Sequence, residues 1–245
     1  MLPELVSAGL IAAGAMAGGY AYAGNWPTSQ IFGRTLIAGR DPAEIALTFD
    51  DGPNDPDTPR LLEILARHEV RATFFLIGRF VQQRPQIVRA ICAAGHVVGN
   101  HTMSHPVLLW QRPARVREEL ADCNAAIEDA TGQPVRFFRP PHGARRPDVL
   151  RAARELGLTP VMWNAMGYDW TAPPPERIIH RVERGVRRNQ LRRRGSNILL
   201  HDGGQAHLGV DRSPTLAAVE ALLRSWAGAR YRFVTAENLA SSAAL

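Results

Sequence analysis

Lysine is missing from this chain of 245 residues: all 29 basic residues are arginine. That absence reads as coding bias rather than chemistry. Cysteine is scarce as well. Cys92 and Cys123 are too few for a disulfide-dense scaffold or a four-cysteine zinc site. Each falls in a stretch with helical spacing, so both are expected to be free thiols acting as small hydrophobes. The 21 glycines and 18 prolines show no period, which excludes collagen-like and low-complexity chains. Nowhere do aromatic side chains interleave with basic ones as single-stranded nucleic acid requires, so no nucleic-acid partner is expected.

What is present is a globular balance. Apolar residues make up 45% and charged residues 21%, which argues against disorder. The length allows one large domain or two small ones. The net charge of +6 is local: from Glu176 to Arg194 eight arginines meet two glutamates, a net +6 that equals the whole excess. Ile178, Ile179, Val182 and Val186 form an apolar stripe there, so a helix is expected to pack with its arginines outward. Those arginines are either a solvated basic face or a contact for anionic lipid head groups or a phosphate-bearing glycan.

The nineteen residues from Leu5 to Ala23 carry no charge, and that is about the length needed to cross a bilayer. They are rich in Ala and Gly and only weakly hydrophobic. Residues 1–25 are expected to be a membrane anchor, with a cleaved signal or a peripheral or buried helix as alternatives. A secretory signal would begin with basic residues, whereas Glu4 is the only charged residue before the stretch. Arg34 and Arg40 follow it and weakly favour a cytoplasmic C-terminal domain. Residues 26–43 read as a linker with turn chemistry.

From residue 44 onward short apolar runs alternate with helical spacing. Strands are expected at 45–49, 72–77, 96–99, 135–138, 160–163, 197–200 and 232–234. Helices are expected at 59–68, 81–94, 113–130 (closed by Gly132), 147–156, 175–190 and 214–226. Alternation of this kind means a parallel α/β sheet with helical crossovers, either a barrel or an open doubly wound sheet.

Polar residues fall at the ends of the expected strands. Asp50 and Asp51 follow the first, His101 and His105 the third, Arg139 the fourth, Asp169 the fifth and His201 the sixth. In parallel α/β folds those ends share one face, so the seven can converge. His101 and His105 have the i, i+4 spacing that aims two imidazoles the same way on a helical turn, as a metal pair requires. The adjacent acids Asp50 and Asp51 carry a like-charge cost that a cation relieves. Two histidines and one carboxylate leave open positions for water, the layout of a hydrolytic rather than a structural metal site. The second acid is then free to act as a base, with Arg139 holding it ionised, and His201 is a candidate proton donor.

These residues also carry a family resemblance. The chain resembles polysaccharide deacetylases of the NodB-homology type. Their Thr-Phe-Asp-Asp-Gly motif stands at Thr48 to Gly52, their His-Ser/Thr-x-x-His motif at His101 to His105, and their Arg-x-Pro motif at Arg139-Pro140-Pro141-His142-Gly143. Their Leu-x-His motif stands at Leu199 to His201, and Asp-x-x-Asp-Trp is kept in part, as Met166-Gly167-Tyr168-Asp169-Trp170. The likeness spans residues 44–240 and implies a distorted (β/α) barrel with about seven parallel strands behind the N-terminal helix. It further implies that Asp51, His101 and His105 hold one divalent metal ion, zinc, with cobalt or manganese able to substitute. Asp50 becomes the base, Arg139 its support and His201 the acid. Asp169 belongs to the catalytic set, able to orient Arg139 or His201, and with Trp170 builds the pocket; Pro141, His142 and Leu199 are further substrate contacts. The implied reaction removes N-acetyl groups from chitin-like or peptidoglycan amino sugars. Deacylation of a lipid-linked sugar, O-acetyl ester hydrolysis and a non-catalytic glycan-binding role are the alternatives. The expected molecule is a membrane-associated monomer with its domain facing the cell envelope, the cytoplasmic face remaining open.

Overall fold

The computed structural model describes residue 16 and residues 18–243. A helix over residues 18–25 (α1) precedes an alternating body. The body runs β1 (Glu44–Gly52), α2 (Asp57–Arg67), β2 (Thr73–Leu76), α3 (Gly78–Gln83), α4 (Pro85–Ala93), β3 (Val97–Asn100) and α5 (Pro113–Thr131). It continues through β4 (Phe137–Phe138), α6 (Pro147–Glu155), β5 (Thr159–Pro160), β6 (Ala165–Met166), α7 (Pro175–Leu191) and β7 (Ser196–His201). It ends with α8 (Ser213–Trp226), β8 (Arg232–Phe233) and α9 (Ala236–Ala243).

The strands pair in parallel in the order β5-β4-β3-β2-β1-β7-β6, and β8 adds to the start of β1. The sheet curls into an incomplete barrel. Arg139, at the end of β4, reaches across the interior to Thr48 on β1 and Asn197 on β7. Along β1 every residue is buried, as expected of a central parallel strand covered on both faces. Ile45, Leu47 and Phe49 join the main core under the helices, whereas Ala46 joins a smaller core with Phe75, Phe137 and Val161.

Four departures from expectation stand out. The helix expected at 81–94 is two, α3 and α4, because Pro85 lacks an N–H and disfavours helical backbone at Arg84, which takes φ −136°. β6 and α9 were not anticipated. Residues 26–43 are packed rather than a free linker: Leu36 donates to the Pro160 carbonyl at 2.8 Å and accepts from the Met162 N–H at 2.7 Å, so it lies along the edge beyond β5. Arg145, 1% exposed, donates to the carbonyls of Trp26 and Ser29 at 2.9 and 2.8 Å, and its own N–H donates to the Gly24 carbonyl.

Most of the uncharged stretch from Leu5 to Ala23 lies outside the described residues. Its end, within α1, packs on the body: Ala23 is buried and the Tyr20 ring stands 4.9 Å from Phe32. Among the described residues no helix is long and apolar enough to cross a membrane.

Candidate active site

Neighbouring side chains on a strand point to opposite faces, so Asp50 and Asp51 should diverge. A bulge prevents this. The pairing of β1 with β2 slips between Asp50 and Gly52, and Asp51 takes φ 72°, which re-aims its carboxylate. Both acids line one cavity. Gly52 completes the bulge beneath Asp202: a Cβ there would stand 2.4 Å from Asp202 Oδ2.

His101 and His105 do not sit on a helical turn, as their spacing predicted. They occupy an irregular loop after β3 in which Thr102 and His105 have φ of 68° and 62°. Side chains hold that shape. Asn100 Oδ1 accepts from the Thr102 N–H, Thr102 Oγ1 accepts from the His105 N–H, and Glu119 on α5 accepts from both the N–H and the hydroxyl of Ser104. The result still brings Nε2 of His101 and His105 to 3.5 and 3.2 Å from Asp51 Oδ1.

The donor set fits a cation. His101 Nδ1 lies 2.7 Å from the Arg139 carbonyl oxygen, so that nitrogen carries a proton and Nε2 is the ring atom turned to Asp51. Asp51 Oδ1 is buried with no hydrogen-bond partner among the described residues. A buried carboxylate oxygen with no donor beside it is costly unless a cation lies against it. One ligand atom from each of the three residues falls within 4.8 Å of the others. Burial would raise the Asp51 carboxyl, but His101, His105 and the charge of His201 outweigh it and hold it well below the ordinary range. Burial lowers His105, against the raising effect of Asp51.

Behind the triad, Arg139 is fully buried and donates through Nη1 to Asp50 Oδ1 at 2.8 Å and to Thr48 Oγ1 at 2.7 Å. Its guanidinium lies 4.2 Å from the Phe75 ring centroid, a stacked geometry suited to arginine. Burial lowers its pKa, and Asp50 opposes that shift. Asp50 pairs in register with His201 on β7, which puts the two on adjacent strands at one face.

His201 is oriented by Asp169, which follows β6. Asp169 Oδ1 lies 2.9 Å from His201 Nδ1, and its Oδ2 accepts from the His201 N–H and the Thr215 hydroxyl. Burial would lower the imidazole, but the Asp169 carboxylate outweighs burial and raises it from 6.5 to about 9. The Trp170 ring stands edge-on to His201 at 5.6 Å. His142, at φ 57°, presents its ring 4.8 Å from His105.

Eight residues singled out from sequence, Asp50, Asp51, His101, His105, His142, Trp170, Leu199 and His201, line a cavity of about 530 Å³. Arg139 and Asp169 stand behind that wall, and Pro141 is buried outside the lining. Trp26 and Pro27, Trp163, Tyr168, Gln205 and Arg212 also line it and were not anticipated. Arg212 is buried and donates to the carbonyls of Gly203 and Asp169. Only the turn chemistry at Trp26-Pro27 was visible, with no signal of where that turn lands. A larger cavity of about 930 Å³, lined by Arg34, Arg40, Arg154, Arg193 and Arg194 among others, contains none of the candidate residues.

Known proteins share this architecture. The family model for polysaccharide deacetylase matches residues 38–161. A chitooligosaccharide deacetylase of Bradyrhizobium is 41% identical over 65% of this chain and 70% of its own length. A peptidoglycan-N-acetylglucosamine deacetylase of Bacillus cereus is 36% identical over 80% of this chain and 87% of its own. Among solved structures, a family 4 acetyl xylan esterase from Clostridium thermocellum with a cobalt ion superposes with TM-score 0.70 at 31% identity, covering 81% of this chain and 90% of that one. A pseudoenzyme of the same family from Bacillus anthracis superposes with TM-score 0.71 at 30% identity, covering 80% of this chain and 65% of that one. The fold thus occurs with and without activity, and function rests on the site.

Proposed function

The chain belongs to the polysaccharide deacetylase family, and we infer that it is a metal-dependent hydrolase removing N-acetyl groups from amino-sugar glycans. The observation that carries this reading is the intact division of labour in the cleft: one buried acid is committed to two histidines and the other to an arginine, opposite a raised imidazole. Relatives named for chitooligosaccharides and for peptidoglycan N-acetylglucosamine support the substrate class.

Asp51, His101 and His105 are assigned to the metal, with zinc preferred and cobalt or manganese able to substitute. When bound, a divalent cation supplies Lewis-acid polarisation of an acyl oxygen and acidifies water. Asp50 is the base. Its Oδ1 is occupied by Arg139, which leaves Oδ2 to accept the proton of the attacking water. Arg139 keeps that carboxylate ionised and fixed. His201 is the acid. Its proton on Nδ1 is held by Asp169, and the opposite nitrogen, Nε2, delivers a proton to the departing amine. A pKa of about 9 keeps the imidazole charged at neutral pH, as a donor requires. Trp170, Leu199 and His142 are assigned to substrate contact, and Tyr168 and Trp26 extend the same wall.

A second reading, hydrolysis of O-acetyl esters, is favoured by the likeness to an acetyl xylan esterase. An ester leaves as an alcohol or alkoxide and depends less on His201 as proton donor. Incubating the zinc-loaded chain with chito-oligosaccharides, peptidoglycan and acetylxylan, and assaying acetate, separates the two. Acetate from the N-acetylated glycans, abolished by chelation and restored by zinc, supports the amidase reading. Acetate from acetylxylan alone replaces it with the esterase reading.

A further inference from the structure

A second cavity, about 360 Å³, opens beside the catalytic one, and Trp26, Pro27, Trp163, Met166 and Tyr168 line both. Its far wall is α7, which contributes Arg181, Arg184, Arg188 and Arg192. The helix sequence dictates this. Ile178, Val182 and Val186 are buried against the sheet, and at Gly185 a Cβ would come within 2.8 Å of Ala165 Cβ, so the backbone approaches β6 closely. Residues at steps of three and four along one flank then stand over the cavity.

Among the described residues no carboxylate pairs with these arginines, and no aspartate or glutamate lines the second cavity. Two are anchored in place: Arg181 donates to the Gly167 and Tyr168 carbonyls and stacks 5.2 Å from the Tyr168 ring centroid, and Arg188 donates to the Asn164 carbonyl. Arg184 and Arg192 are exposed, and their guanidinium groups make no hydrogen bond among the described residues. The Trp163 indole N–H, at the wall common to both cavities, is buried and also without a partner there. Guanidinium groups crowded without counter-charge repel one another, and an anion between them relieves it.

We propose that this groove binds a phosphate group carried by the same substrate molecule whose acyl group enters the catalytic cavity, so that the preferred substrate is a phosphate-bearing amino-sugar glycan. The proposal rests on the N-deacetylase reading above. Phosphate suits the site because its three terminal oxygens engage several guanidinium forks at once. The concave groove, continuous with the catalytic wall, fits an appendage of the substrate; a lipid surface would be met by protruding side chains instead.

The test compares kcat/KM for acetate release from an N-acetylated chito-oligosaccharide with and without a phosphate ester, in the wild-type chain and in R184A/R192A. Neither arginine holds other parts of the fold, so the double variant is expected to fold. The wild type should prefer the phosphorylated substrate by about tenfold or more at low salt, with the preference fading as salt rises. R184A/R192A should bring the ratio close to one, whereas R40A/R193A, in the separate arginine-lined cavity, should leave it unchanged. Calorimetric titration with inorganic pyrophosphate gives a readout independent of turnover and should show binding lost in R184A/R192A. If neither substrate releases acetate, the deacetylase reading fails while the titration still judges the groove. A wild-type ratio of one, a preference that follows R40A/R193A, or arginine-dependent binding to phosphatidylglycerol vesicles with no preference among soluble substrates overturns the proposal.

Discussion

Replacing Asp169 with asparagine removes the charge that keeps His201 protonated while preserving the shape of the side chain. In the native site burial works against the imidazolium, and the carboxylate 2.9 Å from Nδ1 overrides it to give a pKa of about 9 against the ordinary 6.5. Without that charge only Asp51 and Asp50 oppose burial, and the imidazole falls toward the ordinary value. At pH 8 the protonated fraction then drops from about nine-tenths to roughly 3%, a loss of about 30-fold in kcat from protonation state alone. The assay is acetate release from a chito-oligosaccharide as a function of pH. The alkaline limb of kcat, near pH 9 in the wild type, should move toward pH 6.5, with metal content unchanged because Asp169 touches none of the three ligands.

Stability carries the same signature with a defined sign. His201 has its folded pKa raised, so its contribution is fully present below the unfolded value of about 6.5 and is lost as pH climbs through the folded value of about 9. The wild type should therefore lose up to about 3 kcal/mol between those limits, and D169N should lack that decline. An alkaline limb that stays near pH 9 in D169N would refute Asp169 as the group that tunes His201.

Other perturbations separate the remaining roles. D50N should cut activity by roughly 10²–10⁴-fold with metal content intact, whereas D51N should also lower metal occupancy in elemental analysis; equal metal loss in both would void the division of labour. Asp202 is fully buried and raised to about 7, by burial and by the nearby Asp51 and Asp50 charges, so its ionisation destabilises the fold as pH rises from the ordinary carboxylate range through 7. D202N should raise Tm most at pH 8, by less at pH 5, and leave it nearly unchanged near pH 3.5. R145M strands the carbonyls of Trp26, Ser29 and Gly143 and should lower the unfolding free energy by about 3 kcal/mol in denaturant titration, with a rise in KM as the Trp26 wall loosens.

Much of this was legible from residues alone, for reasons specific to each. The run Ile45 to Phe49 is apolar except for Thr48, as suits a covered parallel strand, and its acidic end marked the site. The α7 stripe at Ile178, Val182 and Val186 is as buried as its spacing predicted. What stayed hidden was backbone conformation without a glycine to announce it. Asp51, Thr102 and His105 all take positive φ. Their side chains are common turn or ligand residues, so neither the bulge that turns Asp51 nor the loop that replaces the helical turn leaves a mark in the sequence. β6 escaped because two residues, Ala165 and Met166, pair only through their register with Ile198 and Leu199.

The N-terminal wall was hidden for a different reason. The turn at Trp26-Pro27 reads correctly as a turn, yet the contacts that fasten it are carbonyl oxygens of Gly24, Trp26 and Ser29, and every residue has a carbonyl. All the specificity lies in the donor, Arg145. In a chain whose 29 basic residues are all arginine, that donor looks like its neighbours. Arg139, Arg145 and Arg212 are buried, whereas Arg184 and Arg192 are exposed, and composition cannot sort them. Arg139 was separable because it lies in a motif with an acid to serve. Arg145 serves only backbone, so its role emerges where the turn meets the cleft. There one buried guanidinium joins a segment expected to be a linker to the cavity that Trp26 helps to line, and deleting that segment should perturb substrate binding as well as stability.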